Sequence, residues 1–274
     1  MNRILYKYIR KITYTAISAI TVTYACSIAM SSLAFSADKS SSIIYQADGS
    51  KTKQKKKKFT HFTSGTGFFV NNNYIITNEH VVQGCKSVKI RGAVNPTYAK
   101  IQAIDTENDL ALLKASHGPE RVAMLRGEEM PAYEGEAVTV MGYPLESGIR
   151  GQHVIKKATI TDAHDVYDGI SRIQFTDSVE KGNSGGPLLD DNGNVIGVIV
   201  GKMSFYLADA STAEGIAPKP VKTSSMAISL DSLKSFLNAN NVYFKENHIQ
   251  YNHPDEWMEQ KAQKYIVNVH CIKG

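Results

Sequence analysis

The segment Gly182-Asn183-Ser184-Gly185-Gly186-Pro187 is where residue types and spacing most directly suggest chemistry. An acyl-transfer nucleophile needs an exposed hydroxyl beside backbone N–H groups that can hold an oxyanion. Glycines on both sides of a serine permit a turn tight enough to aim several N–H groups into one small space. Read alone, the hexapeptide also fits a plain Gly-rich turn.

Two upstream segments supply candidate partners. Ser64-Gly65-Thr66-Gly67-Phe68-Phe69-Val70 leads through Asn71–Asn73 to Ile75-Ile76-Thr77-Asn78-Glu79-His80-Val81-Val82. This places His80 at the close of a hairpin strand, at the kind of loop edge where a general base can sit. A lone histidine is more often structural. Further on, Asp109 opens the apolar run Leu110-Ala111-Leu112-Leu113, which can draw its carboxylate under the surface. A buried carboxylate bonded to an imidazole N–H fixes the tautomer and stabilises the imidazolium. Asp105 and Glu107 are rivals in the preceding turn, expected to face solvent.

The elements that must hold these groups read as short strands. Gly67–Val70, Tyr74–Thr77, Val88–Arg91, Ala111–Lys114, Ala137–Met141, Ile173–Thr176, Pro187–Leu189 and Val195–Val200 are strand-sized, and most are rich in β-branched or aromatic residues. Asn71–Asn73 and Asp191–Gly193 carry hairpin-turn signals. Many short strands with few helical patterns indicate an all-β sandwich or barrel. A helix is expected over Asp231–Asn238, with Asp231 as its cap and Leu230, Leu233, Phe236 and Leu237 on one face. A second is expected over Asp255–Lys264, behind Pro254. The chain then ends on a strand, Tyr265–Ile272, with Tyr265, Val267, Val269 and Cys271 on one face.

Charge is unevenly spread over the 274 residues. Of the net +5, four units lie in the first eleven residues and five in 38–58, leaving 59–274 four units negative. A basic start, the uncharged run Ile12–Phe35 and small residues at Ala34, Ser36 and Ala37 read as an export signal over 1–36. An uncleaved membrane anchor is the alternative. Residues 37–58, with Lys51, Lys53 and Lys55–Lys58, read as a disordered leader, since like charges repel and little apolar area is available to bury. Any membrane contact is expected only through an uncleaved signal or this lysine tract. The acidic body lacks aromatic–basic alternation and argues against nucleic acid as a partner. No Cys/His cluster has zinc-ligand spacing. With 1–36 removed, Cys85 and Cys271 remain, and an oxidising compartment would permit one disulfide; two buried thiols are the alternative.

Taken in order, SGTGFFV, TNEHVV, DLALLK, MGYPL and GNSGGPL resemble the trypsin-like bacterial serine peptidases, most nearly the protease domain of the HtrA/Deg proteins, over about Phe59–Leu237. The order His, Asp, Ser is also that of chymotrypsin and not of subtilisin. The resemblance implies two six-stranded antiparallel β-barrels, about 59–130 and 131–228 within a protease domain 59–240, followed by a helix-and-strand extension over 241–274. It implies His80, Asp109 and Ser184 as catalytic triad, an oxyanion hole at Gly182, Asn183 and Ser184, and no cofactor or metal. Substrate contacts would fall on Ser178 and Lys181 of the loop before the nucleophile and on Val198, Ile199 and Val200 of the following strand. Protein or peptide substrates would be cleaved in the periplasm or outside the cell.

Departures from the family pattern qualify this. Only about 35 residues follow Asn240, too few for a PDZ domain. The loop Thr176–Lys181 is one residue shorter than the usual HtrA loop, so specificity does not carry over, and Ser178 stands where trypsin-like specificity needs an Asp. Asn183 has no charge to pair with a newly cut N-terminus, so zymogen-style activation is not expected. Phe59 and Phe62 could serve a trimer contact, but the oligomeric state is not legible. Related peptidases pair a Cys after the HVV segment with one in a C-terminal strand, which points to a Cys85–Cys271 disulfide pinning the tail across the back of the histidine barrel. The rival readings are a catalytically silent peptide-binding or adhesin-like module on the same fold, and an esterase.

Overall fold

The computed structural model describes residues 62–167, 170–176, 179–205, 222–249 and 254–273. The export signal, the lysine-rich leader, Phe59, Asp177 and Ser178 lie outside the described residues.

The first half of the chain contributes β1 (Phe62–Phe69), β2 (Tyr74–Thr77), α1 (Glu79–Val82), β3 (Ser87–Gly92), β4 (Thr97–Asp105), β5 (Leu110–Ala115) and β6 (Met124–Arg126). Next come β7 (Ala137–Gly142), α2 (Leu145–Ile149), β8 (Val154–Tyr167), β9 (Ile170–Phe175), β10 (Pro187–Leu189) and β11 (Val195–Phe205). The chain finishes with β12 (Lys222–Ser229), α3 (Leu230–Ala239), β13 (Lys245–Asn247), α4 (Asp255–Ala262) and β14 (Ile266–Ile272).

The β1–β2 hairpin turns where the asparagines stand. Asn71 Oδ1 accepts from the backbone N–H of Asn73 at 3.0 Å and of Tyr74 at 2.9 Å. A side chain thus replaces a backbone turn acceptor. Phe68, Phe69, Ile75 and Ile76, on the two arms of this hairpin, are fully buried.

β1, β14, β3, β4, β5 and β2 close, in that order, into a barrel of six antiparallel strands. Its sixth strand comes from the far end of the chain: Val269 lies opposite Gly65 of β1 on one side and Ile90 of β3 on the other. The terminal strand is therefore a stave of the histidine barrel, whereas the sequence placed it across the back. Val267, Val269 and Cys271 are fully buried, and so are Ile266 and Asn268 of the opposite face. That second face is covered by α2, whose Gly148 carbonyl accepts from Asn268 Nδ2 at 3.0 Å.

β7, β8, β9, β12, β11 and β10 form a second antiparallel circuit, closed by the pairing of β10 with both β7 and β11. Val138, Val140, Ile160, Ile173, Phe175, Leu188 and Ile199 fill it. β6 and β13 add to its β11 side as parallel strands, Leu125 lying opposite both Val195 and Glu246. The all-β, two-barrel expectation is thus met.

Two local expectations are corrected. The cap of α3 is Ser229, whose hydroxyl accepts from Ser232 N at 3.3 Å, while Asp231 sits inside the first turn. His80 does not close a strand; it lies on α1, a single helical turn anchored by the buried Val81 and Val82.

Candidate active site

α1 and the start of β5 face each other through four hydrogen bonds. Asp109 Oδ2 pairs with His80 Nδ1 at 2.8 Å, and Oδ1 accepts from the His80 backbone N at 3.0 Å. The Asp109 carbonyl accepts from Asn78 Nδ2 at 2.9 Å and from Glu79 N at 3.2 Å. Asp109 has φ +57°, a left-handed conformation that costs a non-glycine residue about 1–3 kcal/mol and persists only where its surroundings impose it. Here the four bonds impose it. The carboxylate is 19% exposed and the imidazole 45%, so the acid is sheltered while the ring edge stays open. The rivals have other tasks: Asp105 accepts from Asn108 N (3.0 Å) and Nδ2 (2.8 Å), which shapes the turn, and Glu107 is exposed.

Gly182–Gly186 supplies the second half of the site. Gly182 has φ +102°, and a Cβ there would stand 2.5 Å from the Tyr143 carbonyl, so conformation and space both require glycine. Lys181 O accepts from Leu145 N at 2.7 Å, and Asn183 O accepts from Gly186 N at 2.9 Å. The C=O and N–H of a trans peptide point opposite ways. The N–H groups of Gly182 and Ser184 are therefore turned away from Leu145 and Gly186, and neither has an acceptor among the described residues. Asn183 is buried, with its Oδ1 unpartnered among the described residues.

Ser184 Oγ donates to the Val200 carbonyl at 2.8 Å. That carbonyl is free for a local reason. The β11–β12 ladder shifts register between Ile199 and Gly201, which leaves Val200 as the extra residue of a β-bulge. Of the three β11 positions expected to meet substrate, Val198 and Ile199 are fully buried. Ile199 is further committed through its backbone, donating to Gly186 O and accepting from Gly185 N, both at 2.8 Å. Val200 is half-buried, and Lys181 is exposed.

Arg172 of β9 approaches from the second barrel, with Nη1 3.5 Å from Asn108 O, the outer limit of a hydrogen bond. Burial lowers its guanidinium from the ordinary value, and the Asp109 carboxylate pulls the other way. Among the described residues no three His, Cys, Asp or Glu side chains gather as a metal-ligand set.

Sequence reading overlooked three contributors: Asn78, which braces Asp109; Val200 as a carbonyl; and Thr66, which contacts the Gly182–Gly186 loop. Asn78 and Thr66 lie inside motifs singled out for other residues. The Val200 bulge depends on a register no local pattern encodes.

Cys85 and Cys271 form a disulfide, Cα–Cα 5.3 Å, which ties the segment after α1 to β14. This meets the expected pairing.

Residues 65–198 match the family described as a trypsin-like peptidase domain. Serine protease Rv3671c of Mycobacterium tuberculosis is 34% identical over 143 residues, 50% of this chain and 36% of that protein. A probable periplasmic serine endoprotease, DegP-like, of Bartonella henselae is 32% identical over 151 residues, 54% of this chain and 30% of that one. The chain thus spans about a third of the length of these curated relatives. Among solved structures, the active form of the Rv3671c protease superposes with TM-score 0.50 at 26% identity, over 67% of this chain and 76% of that chain.

Proposed function

We propose that the protein is a serine endopeptidase acting on polypeptides through Ser184, His80 and Asp109, a reading supported by the match of residues 65–198 to the trypsin-like peptidase domain. The observation that carries this reading is the doubly bonded Asp109–His80 pair, which leaves the outer ring nitrogen of His80 as the one free to act. For attack, the Ser184 hydroxyl leaves the Val200 carbonyl and gives its proton to His80 Nε2 as Oγ bonds to the scissile carbonyl carbon. The oxyanion is met by the N–H groups of Gly182 and Ser184, the two left without acceptors, with Asn183 between them. The imidazolium, stabilised by Asp109, then protonates the leaving amine, and water releases the acyl group by the same path in reverse. Val200, freed of the serine proton, and the exposed Lys181 are the β11 and loop positions offered to a bound peptide.

We also place this activity in the cell envelope or outside the cell. The export-like N-terminus, the Cys85–Cys271 disulfide and the periplasmic description of the Bartonella relative support that placement. No helix among the described residues is long and apolar enough to cross a membrane.

The test is casein digestion by purified protein, with fluorophosphonate labelling in parallel. Wild type digests casein and is labelled at Ser184. Ser184→Ala does neither, and His80→Ala labels far more slowly. Casein digestion by Ser184→Ala at the wild-type rate rejects the proposal.

A further inference from the structure

Thr66 lies on β1, in the first barrel, yet its polar groups engage the nucleophile loop of the second. Its hydroxyl donates to the Gly182 carbonyl at 2.7 Å and accepts from Tyr143 N at 2.9 Å. Its backbone N–H donates to the Ser184 carbonyl at 2.8 Å. Its own carbonyl accepts from Thr77 Oγ1 at 2.7 Å, on the strand that leads into α1 and His80. Thr66 and Thr77 are both fully buried.

We infer that Thr66 is a positioning residue for the oxyanion hole, a single residue that clamps the loop on both sides of Asn183, through its hydroxyl on one side and its backbone N–H on the other, and sets it against the histidine-bearing element. The inference rests on the proposed peptidase reading. The peptide joining Gly182 to Asn183 is held at one end by the Thr66 hydroxyl on its carbonyl and at the other by Asn183 N donating to Glu180 O at 3.0 Å. The Gly182 N–H lies in the preceding peptide, across a Cα that at φ +102° carries no Cβ to resist turning, so its aim depends on the Gly182–Asn183 peptide being held in place. The backbone N–H of Thr66 can hold Ser184 whatever its side chain. Only the hydroxyl reaches Gly182. It also has no substitute: a buried carbonyl that loses its donor must turn to find another. The Tyr143 N–H, which gives to the same oxygen, would be orphaned together with it.

The test compares Thr66→Val, close in shape but without the hydroxyl, with Thr66→Ser, which keeps it. Wild type and Ser184→Ala are run alongside. A peptide ester or amide substrate gives kcat and KM separately, and a peptide aldehyde inhibitor reports affinity for the tetrahedral adduct. Thr66→Val is expected to lose about 10–100-fold in kcat, approaching the loss of one oxyanion donor, with KM within about twofold. Its aldehyde affinity should fall in step with kcat/KM, and Thr66→Ser should recover to within about threefold of wild type. If the valine variant does not fold by circular dichroism, Thr66→Ala, which adds no bulk, is read in its place. Wild-type kcat in the hydroxyl-free variant overturns the inference. So does an equal loss in Thr66→Ser, or a loss confined to KM. An inactive wild type, or activity surviving in Ser184→Ala, overturns the peptidase reading itself and is told apart by those two controls.

Discussion

Asp109 holds His80 at two points, Oδ2 on the ring Nδ1 at 2.8 Å and Oδ1 on the backbone N at 3.0 Å. One carboxylate therefore fixes both where the imidazole stands and which ring nitrogen is left outward. In Asp109→Asn the amide keeps the size but presents an N–H where an acceptor is needed. On the proposed mechanism, turnover falls roughly ten-thousand-fold while the fold persists. Peptide-substrate kinetics, with near-unchanged thermal melting, check this; a loss under tenfold would contradict the role.

The disulfide closes a loop of sequence separation 186 that includes the whole second barrel. In the chain-entropy account such a closure stabilises by about 3–5 kcal/mol, less any native-state cost. Cys85→Ser/Cys271→Ser should lose stability on that scale in urea unfolding. A non-reduced digest of wild type should contain the linked Cys85–Cys271 peptides, and their absence would show that the bridge does not form.

Burial, then Arg91 and Lys89 of β3, holds the His270 imidazole below its ordinary value in the folded protein. The unfolded chain therefore binds more protons than the folded one in the window below that ordinary value. Stability is full above about pH 6.5 and is lost as pH falls through the depressed folded value. His270→Gln should show a smaller drop in melting temperature than wild type between about pH 7.5 and pH 5. Equal drops in the two proteins would assign the acid sensitivity elsewhere.

Arg126 is buried between two acids, with Nε 3.1 Å from Asp190 Oδ2 and its outer nitrogens on Glu136. Burial opposes its charge, and the two acids outweigh that effect, so its guanidinium is raised overall. Arg126→Met would leave two buried carboxylates without a counter-charge, at a cost of about 3–5 kcal/mol. Equilibrium unfolding gives the value directly, and a change under about 1 kcal/mol would mean that the acids find other partners.

Ser229 caps α3 through Ser232 N, so Ser229→Ala should destabilise by about 1 kcal/mol, whereas Asp231→Ala should cost only a few tenths through the helix dipole. The reverse order in chemical denaturation would restore Asp231 as the cap.

What the sequence determined by itself was local. The glycines at 182 and 185, the Asn71 turn, the apolar hairpin and the acid opening β5 each carry their signal within a few residues, because turn conformation and strand burial are local demands. The helix at α3 was legible for the same reason. The strands that reading missed, β4, β6, β8, β12 and β13, lack a continuous apolar run. In β8, Ala158 and Ile160 face in while Lys157, Thr159 and Thr161 face out, and register shifts after Ile160 move the buried side on to Ala163. Tertiary structure decided the relations between distant segments: β14 entering the histidine barrel, Val200 losing its ladder partner, and Thr66 reaching across to Gly182. Each depends on which strands lie side by side and in what register. Register is set by packing over the whole sheet, and a local pattern holds no information on the identity of its neighbour.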